Sequence, residues 1–196
     1  SVKCKMTISG NTIKKCKAYP IYCNPASTSY AITLKKNIIT GNSKKIDGIR
    51  ADSGKLILSS NTISSCSRAI ILSSKVKGTV YPNTFKKNTY NNVKVNSSYV
   101  NTLTVKSLSG KSKSAKTATL NWKKLSSASG YVVYRSASKN GSYTKISTIK
   151  KNKTITYKDS KLKRKSTYYY KIVPYTTIGK TTVYGLDSKI VSIKIK

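Results

Sequence analysis

Ser59–Ile71 reads SSNTISSCSRAII, and Ser9–Cys16 reads SGNTIKKC. The shared Asn-Thr-Ile-x-x-Cys core belongs to a frame that occurs four times: Asn11-Thr12-Ile13-x-x-Cys16, Asn37-Ile38-Ile39-x-x-Asn42, Asn61-Thr62-Ile63-x-x-Cys66 and Asn83-Thr84-Phe85-x-x-Asn88. Successive Asn residues are 26, 24 and 22 positions apart. Three residues before each stands Ile8, Leu34, Leu58 or Val80. Further on come Ile21, Ile49, Ile70 and Val93, each followed two residues later by Cys23, Ala51, Leu72 or Val95. Apolar residues therefore recur in pairs two apart, the period of strands, with no sustained helical period. A repeat of this length made of short strands and turns is the pattern of a solenoid.

Over residues 4–95 the repeat resembles the right-handed parallel β-helix of pectate-lyase-like and related surface proteins. The resemblance implies that like residues stack above like at roughly 4.8 Å. The Ile, Leu and Val positions would then form inward ladders. Asn11, Asn37, Asn61 and Asn83 would form a turn ladder whose amides satisfy bent backbone. The Leu-x-x-Leu-x-Leu pattern of leucine-rich repeats is absent. Four rungs give roughly 19 Å of stack, near the minimum for a solenoid. Nothing before Val2 reads as a cap, and no signal-peptide pattern is present, so the chain is read as a fragment or processed product. The expectation is that further rungs precede Ser1, with pairing of an open rung to another molecule as the alternative.

The repeat stops around Lys94–Leu103 (KVNSSYVNTL), and strands then alternate with turn signals at sandwich spacing. The strands read are TATLNW (117–122), GYVVYRS (130–136), SYTKISTI (142–149), TITYKD (154–159), TYYYKIVPY (167–175) and KIVSIKI (189–195). This half resembles a fibronectin type III domain. Trp122 takes the place of the family's core Trp, and Tyr131 and Val133 point inward. Leu162 and Tyr168 match its tyrosine corner, with Tyr170 and Ile172 continuing the inward face. Lys165 stands where the family often has Gly. The expected fold class is all-β: a short right-handed parallel β-helix of about four rungs (1–96), a linker (97–104) and a fibronectin type III-like β-sandwich (105–196).

Charge is the outlier. The chain carries 39 Lys+Arg, four acidic residues and no His, a formal net charge of +35. Residues 1–96 hold +15 of it and residues 97–196 hold +20. Glu and Gln are absent, and Arg occurs only at 50, 68, 135 and 164. Lysine acts as a hydrated point charge that suits diffuse attraction to polyanions. The candidate contact residues are Lys123, Lys124, Lys150, Lys151 and Lys153 in loops at one end of the sandwich. Lys161, Lys163, Arg164 and Lys165, with Lys111, Lys113 and Lys139, fall at the other. No element concentrates base-reading side chains, so nucleic acid is expected to bind only non-specifically.

Catalytic and metal signals are weak. Without His, no Ser-His-Asp or Cys-His arrangement is possible. Cys4, Cys16, Cys23 and Cys66 lack metal-ligand spacing and read as small unpaired core residues. A Cys16–Cys66 disulfide would have to span two rungs, roughly 9–10 Å at sheet spacing, and a Cys16–Cys23 or Cys4 pairing stays open. Asp47 and Asp52, in KKIDGIRADSG, read as a turn hydrogen bond and an ion pair with Arg50. No catalytic residue, cofactor or metal is expected. No apolar run reaches transmembrane length, so no membrane insertion is expected.

The function expected is a non-catalytic extracellular or cell-surface adhesion module, binding anionic cell-wall polymer or acidic polysaccharide. Two alternatives stand beside it. One is a self-associating filament subunit that stacks through an open β-helix end; the other is the C-terminal accessory region of a polysaccharide-degrading enzyme.

Overall fold

The computed structural model describes residues 5–16, 18–25, 30–42 and 45–196, which form strands and turns with no helix. Cys4 lies outside the described residues. The chain divides into two compact units: residues 1–102 with 177–184, and residues 103–176 with 185–196.

Unit one is a coil of three strands per rung. Rung one is β1 (Lys5–Ser9), β2 (Thr12–Cys16) and β3 (Ile21–Cys23). Rung two is β4 (Ala31–Lys35), β5 (Ile38–Gly41) and β6 (Ile49–Ala51). Rung three is β7 (Lys55–Ser59), β8 (Thr62–Ser64) and β9 (Arg68–Leu72). Rung four is β10 (Lys77–Val80), β11 (Thr84–Lys86) and β12 (Tyr90–Val95), followed by β13 (Ser98–Val100). Equivalent strands pair in parallel from rung to rung. β13 returns antiparallel to β12.

The repeat positions fall into register as the sequence requires. Ile8, Leu34, Leu58 and Val80 stack in one sheet. Ile13, Ile39, Ile63 and Phe85 stack in the second. Ile21, Ile49, Ile70 and Val93 stack in the third, with Cys23, Ala51, Leu72 and Val95 beside them. Leu34, Ile39, Ile49, Leu58, Ile63, Ile70 and Leu72 are fully buried. Each such side chain contributes about 1.5–3 kcal/mol relative to exposure.

Each rung must bend between its first and second strands. The residue before the ladder Asn supplies the bend with a left-handed φ at Gly10 (+74°), Lys36 (+55°) and Ser60 (+55°). The Asn ladder satisfies the backbone there. Asn11 N donates to Asn37 Oδ1 at 3.0 Å, Asn37 N to Asn61 Oδ1 at 3.0 Å, and Asn61 N to Asn83 Oδ1 at 2.9 Å. The side-chain Nδ2 atoms follow the same path at 3.2, 3.0 and 2.9 Å. A second bend places Asn88 Oδ1 on Cys66 N at 2.9 Å, with Lys15, Ser65 and Lys87 left-handed.

Two details depart from the sequence reading. A register shift sets Gly41, not Asn42, opposite Cys16. A Cβ at Gly41 would lie 2.4 Å from Ser65 O and 2.9 Å from Cys66 Sγ, so only glycine fits. Cys16, Cys23 and Cys66 are free thiols. The second departure is at residues 177–184, placed by sequence in the sandwich. They group with the coil, where β20 (Thr181–Tyr184) adds to β10 in parallel through Thr79–Thr182 and Val80–Val183. Buried Thr181 Oγ1 donates to Val76 O at 3.0 Å and accepts from Gly78 N at 3.2 Å.

Unit two is a two-sheet sandwich. Its strands are β14 (Ser109–Lys111), β15 (Ala118–Asn121), β16 (Gly130–Ser136), β17 (Thr144–Ile149), β18 (Thr156–Asp159), most of β19 (Thr167–Ile178) and β21 (Val191–Lys194). One sheet orders β14-β15-β18, and the other runs β17-β16-β19-β21, all antiparallel. Trp122 packs edge-on against Tyr131, ring centroids 5.3 Å apart, in a core with Leu120, Val133, Tyr170 and Ile172. At the tyrosine corner Lys163 N donates to Tyr168 Oη at 3.3 Å, over buried Leu162. Lys165 takes a left-handed φ of +60°, which accounts for the family's preference for glycine there.

Candidate functional site

The carboxylates determine what the cations are free to do. Asp159 is buried, accepts from Arg135 Nη1 at 3.0 Å and from Tyr170 Oη at 2.9 Å. Burial, reinforced by that hydrogen bond, pushes the Tyr170 phenol far above its ordinary 10.0. Asp187 pairs with Lys171 at 2.7 Å and Asp52 with Arg50 at 3.2 Å. Asp47 accepts the Arg68 backbone N–H at 3.3 Å, a rung-to-rung bond rather than a catalytic placement. All four acids thus have internal partners.

The sequence-predicted lysines separate into two clusters, and every member is exposed. Lys123 and Lys124 follow β15, and Lys150, Lys151 and Lys153 follow β17. The Tyr131 phenol ties these two loops: its oxygen accepts from Leu125 N at 2.9 Å and its hydroxyl donates to Asn152 O at 3.3 Å. Trp122 N donates to Ile155 O at 3.0 Å and holds the same end together. The Tyr131 phenol and the Trp122 backbone therefore hold five cations on adjoining loops.

Lys161, Lys163, Arg164 and Lys165 lie at the opposite end. Leu162 N donates to Lys116 O at 3.0 Å, which brings Lys116 to this group. Lys116, Lys161, Lys163 and Arg164 line an open depression of about 700 Å³ floored by Leu162 and Tyr168. Lys116 was missed because it sits 45 positions before Lys161 in sequence, and only the strand pairing joins them. Like charges this close repel, so an anion held between them relieves Coulomb energy as well as gaining it.

Among the described residues no group of three or more His, Cys, Asp or Glu side chains is placed to hold a metal ion. Cys23 and Cys66 are buried, and burial pushes both thiols above their ordinary 9.0. Cys66 Sγ donates to Ser64 O at 3.2 Å, and Cys16 Sγ to Lys14 O at 3.8 Å. Among the described residues no helix is long and apolar enough to cross a membrane.

The sequence family described as "Periplasmic copper-binding protein (NosD)" matches residues 1–117. No curated protein matches the chain. Among solved structures, an Fn3-like protein from Clostridium thermocellum is 29% identical, covers 46% of this chain and 88% of its own, and has a TM-score of 0.40. The chicken CNTN1 FN1-FN3 domains are 19% identical at a TM-score of 0.41; the match covers 49% of this chain but 33% of the chicken chain. The sixth fibronectin type III domain from human fibronectin type III domain containing protein 3 is 19% identical, with a TM-score of 0.40, covering 49% of this chain and 87% of that one.

Proposed function

The chain belongs to the NosD family, and from that premise we propose that it is a non-catalytic module working outside the cytoplasm, held to anionic surface polymer by its lysines. The β-helix, built on rungs of the pectate-lyase-like kind, is a rigid stalk or glycan-contacting surface, and the sandwich is a spacer and adhesion module. The observation that carries the reading is the internal use of every carboxylate, which leaves the lysine clusters at the two ends of the sandwich without compensating charge.

Copper, which the family's description names, does not fit the residues described. Copper sites draw on imidazole, thiolate or thioether donors gathered at one point. This chain has no His and one Met. Met6 lies on β1, Cys16 on β2, Cys23 on β3 and Cys66 after β8, and the thiols do not form a three-donor group. No copper chemistry enters the reading.

The test is binding of the full chain to immobilised teichoic acid, with neutral dextran as control, between about 0.1 M and 1 M salt, where the Debye length falls from about 10 Å to 3 Å. Binding to teichoic acid alone, lost toward 1 M, is expected. Equal binding to dextran, or none to teichoic acid, would overturn the proposal.

A further inference from the structure

The coil presents three outer faces, and their chemistry differs. Across β1, β4, β7 and β10 the outward rows are Thr7, Thr33, Ile57 and Thr79, and Lys5, Ala31, Lys55 and Lys77. Across β2, β5, β8 and β11 they are Thr12, Ile38, Thr62 and Thr84, and Lys14, Thr40, Ser64 and Lys86. None of these rows holds an arginine, and the aromatic pair on the first sheet, Tyr81 stacked on Tyr184 at 5.1 Å, sits at the ends of β10 and β20, which carry none either. The third face, on β3, β6, β9, β12 and β13, is unlike them. Its row runs Tyr22, Arg50, Ile71, Lys94, Tyr99, each paired with the next.

Both arginines of residues 1–102 lie on this face, each against a tyrosine. Arg50 sits 5.3 Å from the Tyr19 ring centroid, and its Nη1 donates to Tyr19 Oη at 3.2 Å. Asp52 fixes it from the other side and also accepts from Tyr22 Oη at 2.8 Å. Arg68 lies 4.8 Å from the Tyr90 ring and 6.0 Å from that of Tyr99. Its Nε is buried without a hydrogen-bond partner, and Arg68 makes no ion pair among the described residues. Tyr19, Tyr22, Tyr90 and Tyr99 are nonetheless 43–53% exposed. Cations lie over the rings of Tyr19, Tyr90 and Tyr99, and about half of each tyrosine's surface stays exposed beside them.

We propose that this face binds an acidic polysaccharide whose charge sits on its sugar rings, such as a polyuronate, laid across the strands. The proposal rests on the anionic-polymer reading above and gives it a shaped site. The C–H face of a pyranose ring is apolar and lies flat on a phenol ring, as other planar groups do on tyrosine platforms. Tyr22 and Tyr99 stand four strand spacings apart, roughly 19 Å, long enough for several sugars. Arginine is the cation whose planar fork matches a carboxylate, and within residues 1–102 it occurs only on this face. Arg50, Arg68 and Lys94 outnumber Asp52, so the face is positive. A polyphosphate chain offers no ring to stack and would gain nothing from the tyrosines.

The experiment measures binding of the full chain to alginate and to teichoic acid, for wild type, Tyr22→Ala, Tyr99→Ala, Tyr22→Phe, Arg68→Lys and Lys123→Ala/Lys124→Ala. Circular dichroism checks that each is folded. For alginate, each Tyr→Ala change is expected to weaken binding about tenfold, Arg68→Lys severalfold, and Tyr22→Phe little. Teichoic acid binding is expected to ignore the tyrosines and to fall in the double lysine variant. Alginate binding that is unchanged in the Tyr→Ala variants overturns this face while leaving retention by lysine intact. Wild type that binds neither polymer overturns both.

Discussion

Replacing Asn61 with Ala tests the Asn ladder at a fully enclosed rung. Asn61 is fully buried. Its Oδ1 accepts from Asn37 N and Nδ2, each at 3.0 Å, and its Nδ2 donates to Leu34 O and Asn83 Oδ1, each at 2.9 Å. Not all of these partners are stranded by truncation. Asn37 Nδ2 keeps Ile8 O at 2.9 Å, and Asn83 Oδ1 keeps the backbone N–H of residue 61. What remains is the buried Asn37 N–H with no acceptor and a lost bond to the Leu34 carbonyl. A stranded buried donor costs about 1–3 kcal/mol and a lost bond about 1 kcal/mol, so the variant should lose about 3 kcal/mol. Asn11→Ala is the matched control, because Asn11 is exposed and water replaces its side-chain bonds; it should cost under about 1 kcal/mol. Urea unfolding followed by far-ultraviolet circular dichroism gives both values. Hydrogen exchange of the peptide covering 31–42 should quicken in Asn61→Ala. Equal costs for the two variants would show that the ladder follows the coil rather than supporting it.

Three further outcomes are expected. Lys165→Gly should stabilise by about 0.5–1 kcal/mol in urea unfolding, since relief of a left-handed L-residue exceeds glycine's added chain entropy; a loss of stability would contradict the left-handed φ. Tyr168→Phe removes the bond from Lys163 N and should cost about 1 kcal/mol with little change in packing, by the same assay. Cys66 is buried and its thiol is held above 9.0 by that burial, so less thiolate forms at a given pH. Iodoacetamide should therefore label Cys16 before Cys66, and Cys66 labelling should still be climbing with pH at 9.0 rather than levelling off there; peptide mapping that finds Cys66 labelled first would refute this placement.

The parts of the fold that were legible in sequence were those set by strict periodicity. A period of two fixes which side chains face inward, and the spacing of Asn residues fixes the rung, so Leu34, Ile49, Asn37 and Asn61 could be placed without coordinates. Trp122, Tyr131 and Tyr168 were legible for a different reason: the stretch from residue 105 resembles a fibronectin type III domain, and that resemblance implies a place for each of them. The bends were not legible. Lys36, Ser60 and Lys15 take left-handed φ where no glycine marks it. The pairing of β20 with β10 joins residues about a hundred positions apart, and Thr181–Tyr184 carries no solenoid signal of its own. Lys116 was missed for the same reason, and the outer tyrosines because an outward strand position accepts many residue types. The lysine clusters could be named from sequence, but their grouping by Tyr131 and Leu162 depends on loops brought together by non-local strands.

The most direct measurement for the account is co-sedimentation of the full chain with isolated Gram-positive cell walls, intact and stripped of teichoic acid, across a salt series. Retention by uncompensated lysines predicts that the chain pellets with intact walls, that stripping sharply reduces pelleting, and that the remainder on intact walls falls steeply with salt. Pelleting that is indifferent to both stripping and salt, or no pelleting with intact walls, would contradict it.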